Sequence, residues 1–198
     1  KSSRCSASGF SASTQDISGI GAGTYIVIII DANGCQYVNG YTVSQPGSLQ
    51  AELNVTDHNG FGTTCAGASD GAINLSAQGG SGSYSFSWNG PNGFASTNED
   101  ISNLAPGSYT VLVSDANGCS LTLQATITAP DALTASTMAS SANGFGLSCN
   151  SGSDGAINLI IGGGAGPYST AWSGPNGFNS NAASISGLSA GDYAVNII

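Results

Sequence analysis

The strongest constraint on this chain of 198 residues is an internal repeat at one fixed spacing in sequence number. Tyr25, Tyr109 and Tyr193 each lie two residues after a Gly, and their sequence numbers differ by 84 each time. The segment Ser69–Leu75 recurs letter for letter at Ser153–Leu159, again with a difference of 84. Self-similarity at a fixed period without insertions is typical of an array built from one module. We therefore expect successive copies of a single folding unit.

The register of the repeat divides the chain into three parts. Residues 1–47 are expected to be the C-terminal part of one module, residues 48–131 a complete module, and residues 132–198 a module that lacks its last strand. Pro46 and Pro130 mark the two boundaries, because proline ends a strand without demanding a ladder hydrogen bond. Since the first and last residues fall inside modules in this register, we expect the chain to be a segment of a longer array.

The pattern inside the complete module predicts β-strands and no helix. From Tyr109 to Ser114 the residues alternate between two faces, and Tyr109, Val111 and Val113 share one of them, which is the signature of a half-buried strand. A second alternation ends at Trp88, which we expect in the core. The motif Leu-x-x-Gly-x-Tyr that ends at Tyr109 resembles the tyrosine corner of immunoglobulin-like domains. Seven or so short strands with frequent turns predict an all-β fold of tandem immunoglobulin-like antiparallel β-sandwich repeats.

A turn motif, Asp-Ala-Asn-Gly-Cys, follows the predicted strand at Asp31–Cys35 and again at Asp115–Cys119. Asn-Gly is a strong signal for a two-residue hairpin of type I′, which needs positive φ at both central residues. We therefore predict a type I′ turn at Asn117 and Gly118.

Composition narrows the class of partner. The chain has a net charge of −9, and its two basic residues are Lys1 and Arg4. Such a chain offers no footprint for a phosphate backbone, so nucleic acid is not expected as a partner. No apolar run reaches membrane-spanning length, so this segment is not expected to cross a membrane. Only 7% of residues are charged, which is typical of extracellular β arrays.

Four motifs together resemble the SprB-repeat family of Bacteroidetes cell-surface gliding adhesins. They are Asp-Gly at the start of a strand, Gly-Gly-x-x-x-Tyr-x-x-x-Trp as in Gly163 to Trp172, Leu-x-x-Gly-x-Tyr, and Asp-Ala-Asn-Gly-Cys. The resemblance covers the chain from Phe10 onward. It implies a very large filamentous protein on the cell surface, exported by the type IX system and moved by the gliding machinery.

On this resemblance the chain is an extracellular structural and adhesive segment and not an enzyme. Its implied partners are an external surface or glycans, and the gliding and secretion machinery of the outer membrane. The alternative is a set of sugar-binding or spacer modules attached to a secreted enzyme.

No cofactor is expected, although two calcium hypotheses stay open. Asp-x-Asn-Gly at Asp31, Asp57 and Asp115 is similar to the opening of a calcium loop, but the remaining EF-hand ligands are missing. The other hypothesis is a calcium site formed by Asp70 and loop carbonyls. His58 is the single histidine. Its equivalent in the third module is Ala142, so we expect no repeated ligand and no catalytic base.

The cysteines recur with the module, and an oxidising compartment favours disulfides. We predict a bridge between Cys65 and Cys119 within the complete module. Cys149 and Cys35 would then have partners beyond the ends of the chain, and Cys5 has only Cys35 as a weak candidate. One difficulty is that a simple immunoglobulin-like topology puts the two loops at opposite ends.

An apolar stripe distinguishes the first module. Ile26, Ile28 and Ile30 occupy the outward positions of a predicted strand, where the complete module has Thr110, Leu112 and Ser114. Apolar patches on a solvent-facing surface often mark contacts. We predict that the stripe contacts another chain or another part of the same protein; the alternative is a local cover from a neighbouring strand.

Overall fold

The computed structural model describes residues 2–7, 10–142 and 144–198, in which the chain is all-β with antiparallel pairing throughout. The strands before Pro46 are β1 (Ser2–Ala7), β2 (Phe10–Ala12), β3 (Gly23–Ile30) and β4 (Gln36–Val43). They form one sheet in the order β2-β1-β3-β4. The predicted β class is therefore confirmed.

The middle part of the chain forms two sheets. Its strands are β5 (Gly47–Val55), β6 (Gly71–Gly80), β7 (Ser85–Asn89), β8 (Ala95–Ser96), β9 (Ile101–Leu104), β10 (Gly107–Ser114) and β11 (Ser120–Ile127). One sheet has the order β5-β6-β9 and the other β11-β10-β7-β8. A single 3₁₀ turn at Pro91–Gly93 joins β7 to β8.

The last part repeats this arrangement with one strand fewer among the described residues. Its strands are β12 (Thr134–Ala139), β13 (Gly155–Gly162), β14 (Thr170–Ser173), β15 (Asn179–Ser180), β16 (Ser184–Leu188) and β17 (Ala194–Ile197). The sheets are β12-β13-β16 and β15-β14-β17, and a 3₁₀ turn lies at Pro175–Gly177. The edge of β17 that corresponds to the β11 side of β10 has no partner strand there.

The core of the middle part lies between its two sheets, because each sheet supplies one apolar face. The buried side chains are Ile73, Leu75, Trp88, Ile101, Leu104, Tyr109, Val111, Val113 and Ile127. The register pairs Val111 with Trp88 on one side and with Leu123 on the other, so inward positions stay in line across three strands. The predicted burial of Trp88 and Tyr109 is confirmed, with 1% and 2% of their surfaces exposed.

The first sheet has one face without cover from a second sheet in the described residues. Strands β3 and β4 pair Tyr25 with Tyr41, as β10 and β11 pair Tyr109 with Ala125. Tyr25 is buried, but Tyr37 and Tyr41 are 56% and 58% exposed. The inward positions of β4 are therefore open, where the inward positions of β11 pack against a core.

The predicted type I′ turn at Asn117-Gly118 is wrong. A hairpin does form there, but only Gly118 has a positive φ, at 82°. Gly118 N donates to Asp115 O and Asp115 N donates to Cys119 O, which is a three-residue loop built from a type I turn and a bulge. The Asn-Gly signal gives positive φ at both residues instead in the loop after β5, at Asn59 (55°) and Gly60 (90°).

Among the described residues, no helix has the length and apolar character needed to span a bilayer.

Candidate functional site

The feature that recurs most regularly is a tyrosine tied to the backbone four residues earlier. The Oη atom of Tyr25 donates to Gly21 O at 2.8 Å, Tyr109 donates to Ala105 O at 2.9 Å, and Tyr193 donates to Ser189 O at 3.1 Å. This is the bond that the Leu-x-x-Gly-x-Tyr motif predicts. It satisfies a phenol hydroxyl that burial would otherwise leave without a partner, and it fixes the chain at the start of the strand.

Each of these tyrosines also meets a phenylalanine ring edge to face. The ring centroids are 5.8 Å apart for Phe10 and Tyr25, and 5.3 Å apart for both Phe94 with Tyr109 and Phe178 with Tyr193. The geometry is the favourable T-shaped one. The same packing of a loop phenylalanine against the tyrosine therefore recurs at all three positions of the repeat.

A glycine makes room for the tyrosine. A Cβ atom on Gly90 would lie 2.5 Å from Cδ1 of Tyr109, and a Cβ atom on Gly174 would lie 2.5 Å from Cδ1 of Tyr193. No side chain fits at that distance, so the Gly-Pro-Asn-Gly-Phe segment is shaped by the ring that it covers. The tyrosine and this segment form one packed unit.

The Asp-Ala-Asn-Gly-Cys turn is organised by a carboxylate. Asp115 is 7% exposed, and its Oδ1 accepts from Asn117 N at 3.0 Å and Cys119 N at 2.9 Å. Its Oδ2 accepts from Ser81 N at 2.9 Å, in the neighbouring loop. These hydrogen bonds, that from Ser81 N first, lower the pKa of Asp115 from its ordinary value. The carboxylate therefore holds backbone N–H groups.

A second carboxylate organises the loop before β6. Asp70 accepts from Thr64 Oγ1 at 2.5 Å and Thr64 N at 3.2 Å, which lowers its pKa. Asp154 has the equivalent position, and its hydrogen bonds from Ser148 lower its pKa in the same way. Among the described residues there is no group of three or more His, Cys, Asp and Glu side chains placed to hold a metal ion. Asp115 and Asp70, one carboxylate from each calcium hypothesis, thus accept hydrogen bonds from groups of the protein.

His58 lies in the same loop, in the type I′ turn at Asn59 and Gly60. Its backbone N donates to Phe61 O at 2.7 Å and its carbonyl accepts from Phe61 N at 3.3 Å. In the third module Ala142 and Phe145 form the same bridge, without a histidine. The backbone therefore fixes this turn, and the imidazole is not needed for it.

The cysteines lie at the two ends of the middle module. Cys65 is in the loop held by Thr128: Gly62 N and Thr63 N donate to Thr128 O at 2.9 and 3.1 Å. Cys119 directly precedes β11, and Thr128 directly follows it. The intervening strand of eight residues spans about 26 Å at roughly 3.3 Å per residue.

This separation explains why the predicted bridge between Cys65 and Cys119 is absent, since a disulfide needs Cα atoms within about 7 Å. Cys35, Cys65, Cys119 and Cys149 are all exposed free thiols. Cys5 belongs to β1, but its side chain lies outside the part of the chain that the structure describes. The weak pairing suggested for it with Cys35 stays a prediction.

The isoleucine stripe lies on the outer face of the first sheet. The exposed fraction of Ile26 is 42%, and Ile28 and Ile30 are half-buried. Ile26 pairs with Gly40, which has no side chain to cover it, and Ile28 pairs with Val38, which is 56% exposed. Sequence reasoning missed Val38, although its place two positions into β4 marks it as outward. The stripe and Val38 form one apolar patch.

A second surface feature, a groove in the third module, occupies a volume of about 470 Å³. Its apolar lining includes Leu147, Ile157, Leu188 and Tyr193. In the middle module the equivalent space contains Ile127: a Cβ atom on Gly62 or Gly71 would lie 2.9 or 3.0 Å from Ile127 Cγ2. The groove thus has the position and the character of a strand-binding slot.

The structure is an all-β chain of antiparallel sheets in which the same hydrogen bonds and ring contacts recur. The sequence model of the SprB repeat matches residues 63–93, from the Cys65 loop through β6 and β7 to the Pro91–Gly93 turn. The resemblance derived from the motifs is confirmed over this stretch. The SprB repeat is a structural repeat, and the match suggests an adhesin-type region of a cell-surface protein. No curated protein matches the chain.

Proposed function

We propose that the chain is a segment of a tandem array of immunoglobulin-like β-sandwich modules, which follow the repeat seen in the sequence and are divided at residues 47 and 131. The array forms part of the stalk of a large extracellular filamentous adhesin. The observation that carries this proposal is the recurrence of the tyrosine hydrogen bond at Tyr25, Tyr109 and Tyr193. A hydrogen bond that recurs in every module stabilises the fold of that module. This favours a structural role, in which modules space and present surfaces, over a catalytic one.

The junctions support an extended arrangement. Residues 44–46 alone join β4 to β5, and a linker of this length without a Gly/Ser tract couples neighbouring units semi-rigidly. In the middle module β5 begins at the end where β11 begins, and β11 ends beside Gly62, so the chain enters and leaves at opposite ends. Each module then advances the array by roughly 30–40 Å, from strands of seven to nine residues plus turns.

In this proposal, adhesion and assembly use exposed surfaces of the modules, away from the tyrosine contacts that stabilise each fold. The patch of Ile26, Ile28, Ile30 and Val38 is the proposed contact with another chain or another part of the same protein. An external surface or glycans, and the outer-membrane gliding and type IX secretion machinery, are proposed partners on the strength of the family resemblance alone.

Small-angle scattering of the 198-residue chain tests the array. We expect a maximum dimension close to the summed module lengths, and a compact globule would contradict the proposal. An antibody raised against the chain should label intact cells from outside, and labelling confined to lysed cells would exclude a surface role.

A glycan array separates the proposed stalk from the alternative of sugar-binding modules on a secreted enzyme. Reproducible binding of one glycan class by the whole chain would favour the alternative.

The contact patch is tested by replacing Ile26 and Ile28 together with Thr, the residue at position 110 of the middle module. Lateral association, followed by light scattering, should weaken while the unfolding midpoint stays within error of the parent. The matched control is Thr110→Val with Leu112→Thr in the middle module. Unchanged association of the first variant would remove the patch from the proposal.

A further inference from the structure

The two cysteine positions of the module lie beside the two linkers that enter and leave it. The structure describes this for the middle module, where Cys65 is near the exit and Cys119 is near the entrance. Cys65 and Cys119 lie in different loops, and each loop is held in place by its own hydrogen bonds.

At the exit, the Cys65 loop is tied to the first residue of the linker. Thr63 is completely buried; its N donates to Thr128 O at 3.1 Å, and its Oγ1 reaches Cys65 O at 3.3 Å. Pro130 follows two residues after Thr128 and is buried. The Cα atoms of those two linker residues can be no more than about 7 Å apart.

At the entrance, Cys119 faces the linker that arrives from the first module. One groove is lined by Gln45, Pro46 and Gly47 from the linker, and by Asp115, Asn117 and Cys119 from the turn. The Asp115 carboxylate fixes the turn by accepting from Cys119 N at 2.9 Å. Cys119 is exposed and lines this groove together with the linker.

Pro46 and Pro130 occupy the same position in successive repeats, since their sequence numbers also differ by 84. The linker at Pro130, beside Cys65, is therefore equivalent to the linker at Pro46, beside Cys119. Cys65 belongs to the module before its linker, and Cys119 belongs to the module after its linker. The loop cysteine of one module and the turn cysteine of the next converge on one short peptide.

We propose that these two cysteines form a disulfide across the junction between consecutive modules. Among the described residues, the turn cysteine Cys119 lies at the junction at Pro46, and the loop cysteine Cys65 lies at the junction at Pro130. The proposal therefore accounts for four exposed free thiols at repeated positions. It rests on the tandem-module arrangement proposed above.

The chemistry is a two-electron oxidation. The two thiols lose two protons and two electrons as the S–S bond forms, and a small or protein-bound disulfide accepts them and becomes two thiols. Exposure of both sulfurs suits this exchange, because the attacking thiolate must reach the oxidant.

The test is to extend the chain after Ile198 with a copy of residues 115–130. Since Ile198 is equivalent to Ser114, the extension adds to the third module a turn, a strand and a linker equivalent to those of the middle module. Its cysteine corresponds to Cys119. The extended chain is oxidised with glutathione disulfide and mapped by mass spectrometry of non-reduced peptides.

The expected product joins Cys65 to the appended cysteine. Replacing Cys65 with Ser should abolish the product, while the matched control Cys119→Ser should leave it unchanged. A bridge between Cys149 and the appended cysteine is pairing inside one module, and it would overturn the proposal. Retention of all thiols in the reduced form would also overturn it.

Thermal unfolding of the extended chain separates this proposal from the one it rests on. A higher midpoint for the third module with all thiols free would reject the bridge and keep the array. An extension that adds no stability and leaves its cysteine freely reactive would reject both.

Discussion

The middle part of the chain (48–131) and the last part (132–198), which are the proposed second and third modules, share their local contacts but differ in how completely the core is closed. Trp88 and Trp172 are 1% and 3% exposed, and each indole Nε1 donates to a backbone carbonyl at 2.9 Å. On the neighbouring strand the two modules diverge. Val111 and Val113 are fully buried, whereas their equivalents Val195 and Ile197 are partly exposed.

The difference shows that the core has two halves. The half around the tryptophan is closed by strands that both modules have, so Leu104 and Leu188 are equally protected, at 0% and 4% exposure. The half around the tyrosine strand is closed by β11, through Ile127 and its neighbours. Burial of the tryptophan is therefore independent of the last strand, while burial of the tyrosine strand requires it.

The largest expected effect comes from the shared half. Trp88→Ala and Trp172→Ala should each destabilise their own module by about 3–5 kcal/mol, because both remove a buried indole and leave a cavity. Hydrogen exchange of the amides of β6 and β13 measures the two modules separately. A much smaller loss for Trp172 than for Trp88 would contradict the equality of the shared halves.

The second-largest loss of stability is expected in the half of the core that β11 closes, which differs between the two modules. Ile127→Ala should cost the middle module about 2–5 kcal/mol, since it empties the slot against Gly62 and Gly71. The amides of β10 should then exchange as fast as those of β17. Leu123→Ala serves as the control, because that side chain is only partly buried. If β10 stays protected, β11 does not close this half.

A smaller effect is expected where a glycine meets the tyrosine ring. Gly90→Ala forces a methyl group to within 2.5 Å of Tyr109, and overpacking of this kind costs about 1–3 kcal/mol. Gly174→Ala should cost less, because Tyr193 is partly exposed and its ring can shift. Equal losses in urea unfolding of the two variants would show that the tyrosine is held as firmly without β11.

The smallest effect is a difference in acid sensitivity. Asp70 and Asp154 have lowered pKa values in the middle and third modules, and the middle module adds Asp115. A lowered folded-state pKa gives stability that is present above the ordinary value of 3.8 and is lost as the pH falls through the folded-state pKa. The middle module should therefore lose more stability below about pH 4.

Unfolding curves between pH 5 and pH 2 measure this loss, with Asp115→Asn as the variant that should remove the difference between modules. The control is Asp70→Asn, which changes a carboxylate that both modules have. If the middle module with Asp115→Asn still loses more stability in acid than the third module, a group other than Asp115 causes the difference.

The features that sequence reasoning predicted correctly are local. Alternation along β7 and β10, together with the Leu-x-x-Gly-x-Tyr motif, was enough to identify the buried Trp88 and Tyr109 and the tyrosine hydrogen bond. The prediction of a type I′ turn at Asn117 was wrong because the Asp115 carboxylate accepts hydrogen bonds from the N–H groups of Asn117 and Cys119. That competition selects a longer loop, and the Asn-Gly pair alone does not reveal it.

The cysteine positions show a different limit. The repeat spacing does not indicate which end of a module a loop occupies, and the immunoglobulin-like topology, which put the two loops at opposite ends, was the better guide. The same limit applies to the isoleucine patch: the outward set was readable from alternation, but the exposure of Val38 depends on which strand lies beside β3.

The parallel course of β5 and β11 has a mechanical consequence. An array under tension is pulled at the start of β5 and at the end of β11, which lie at opposite ends of the module. The load then runs along the strands, so the backbone hydrogen bonds that join β11 to β10 over eight residue pairs must shear together instead of opening one at a time. In the proposed filament, each module would therefore resist drag as a clamp loaded in shear, and each clamp would yield in a single step.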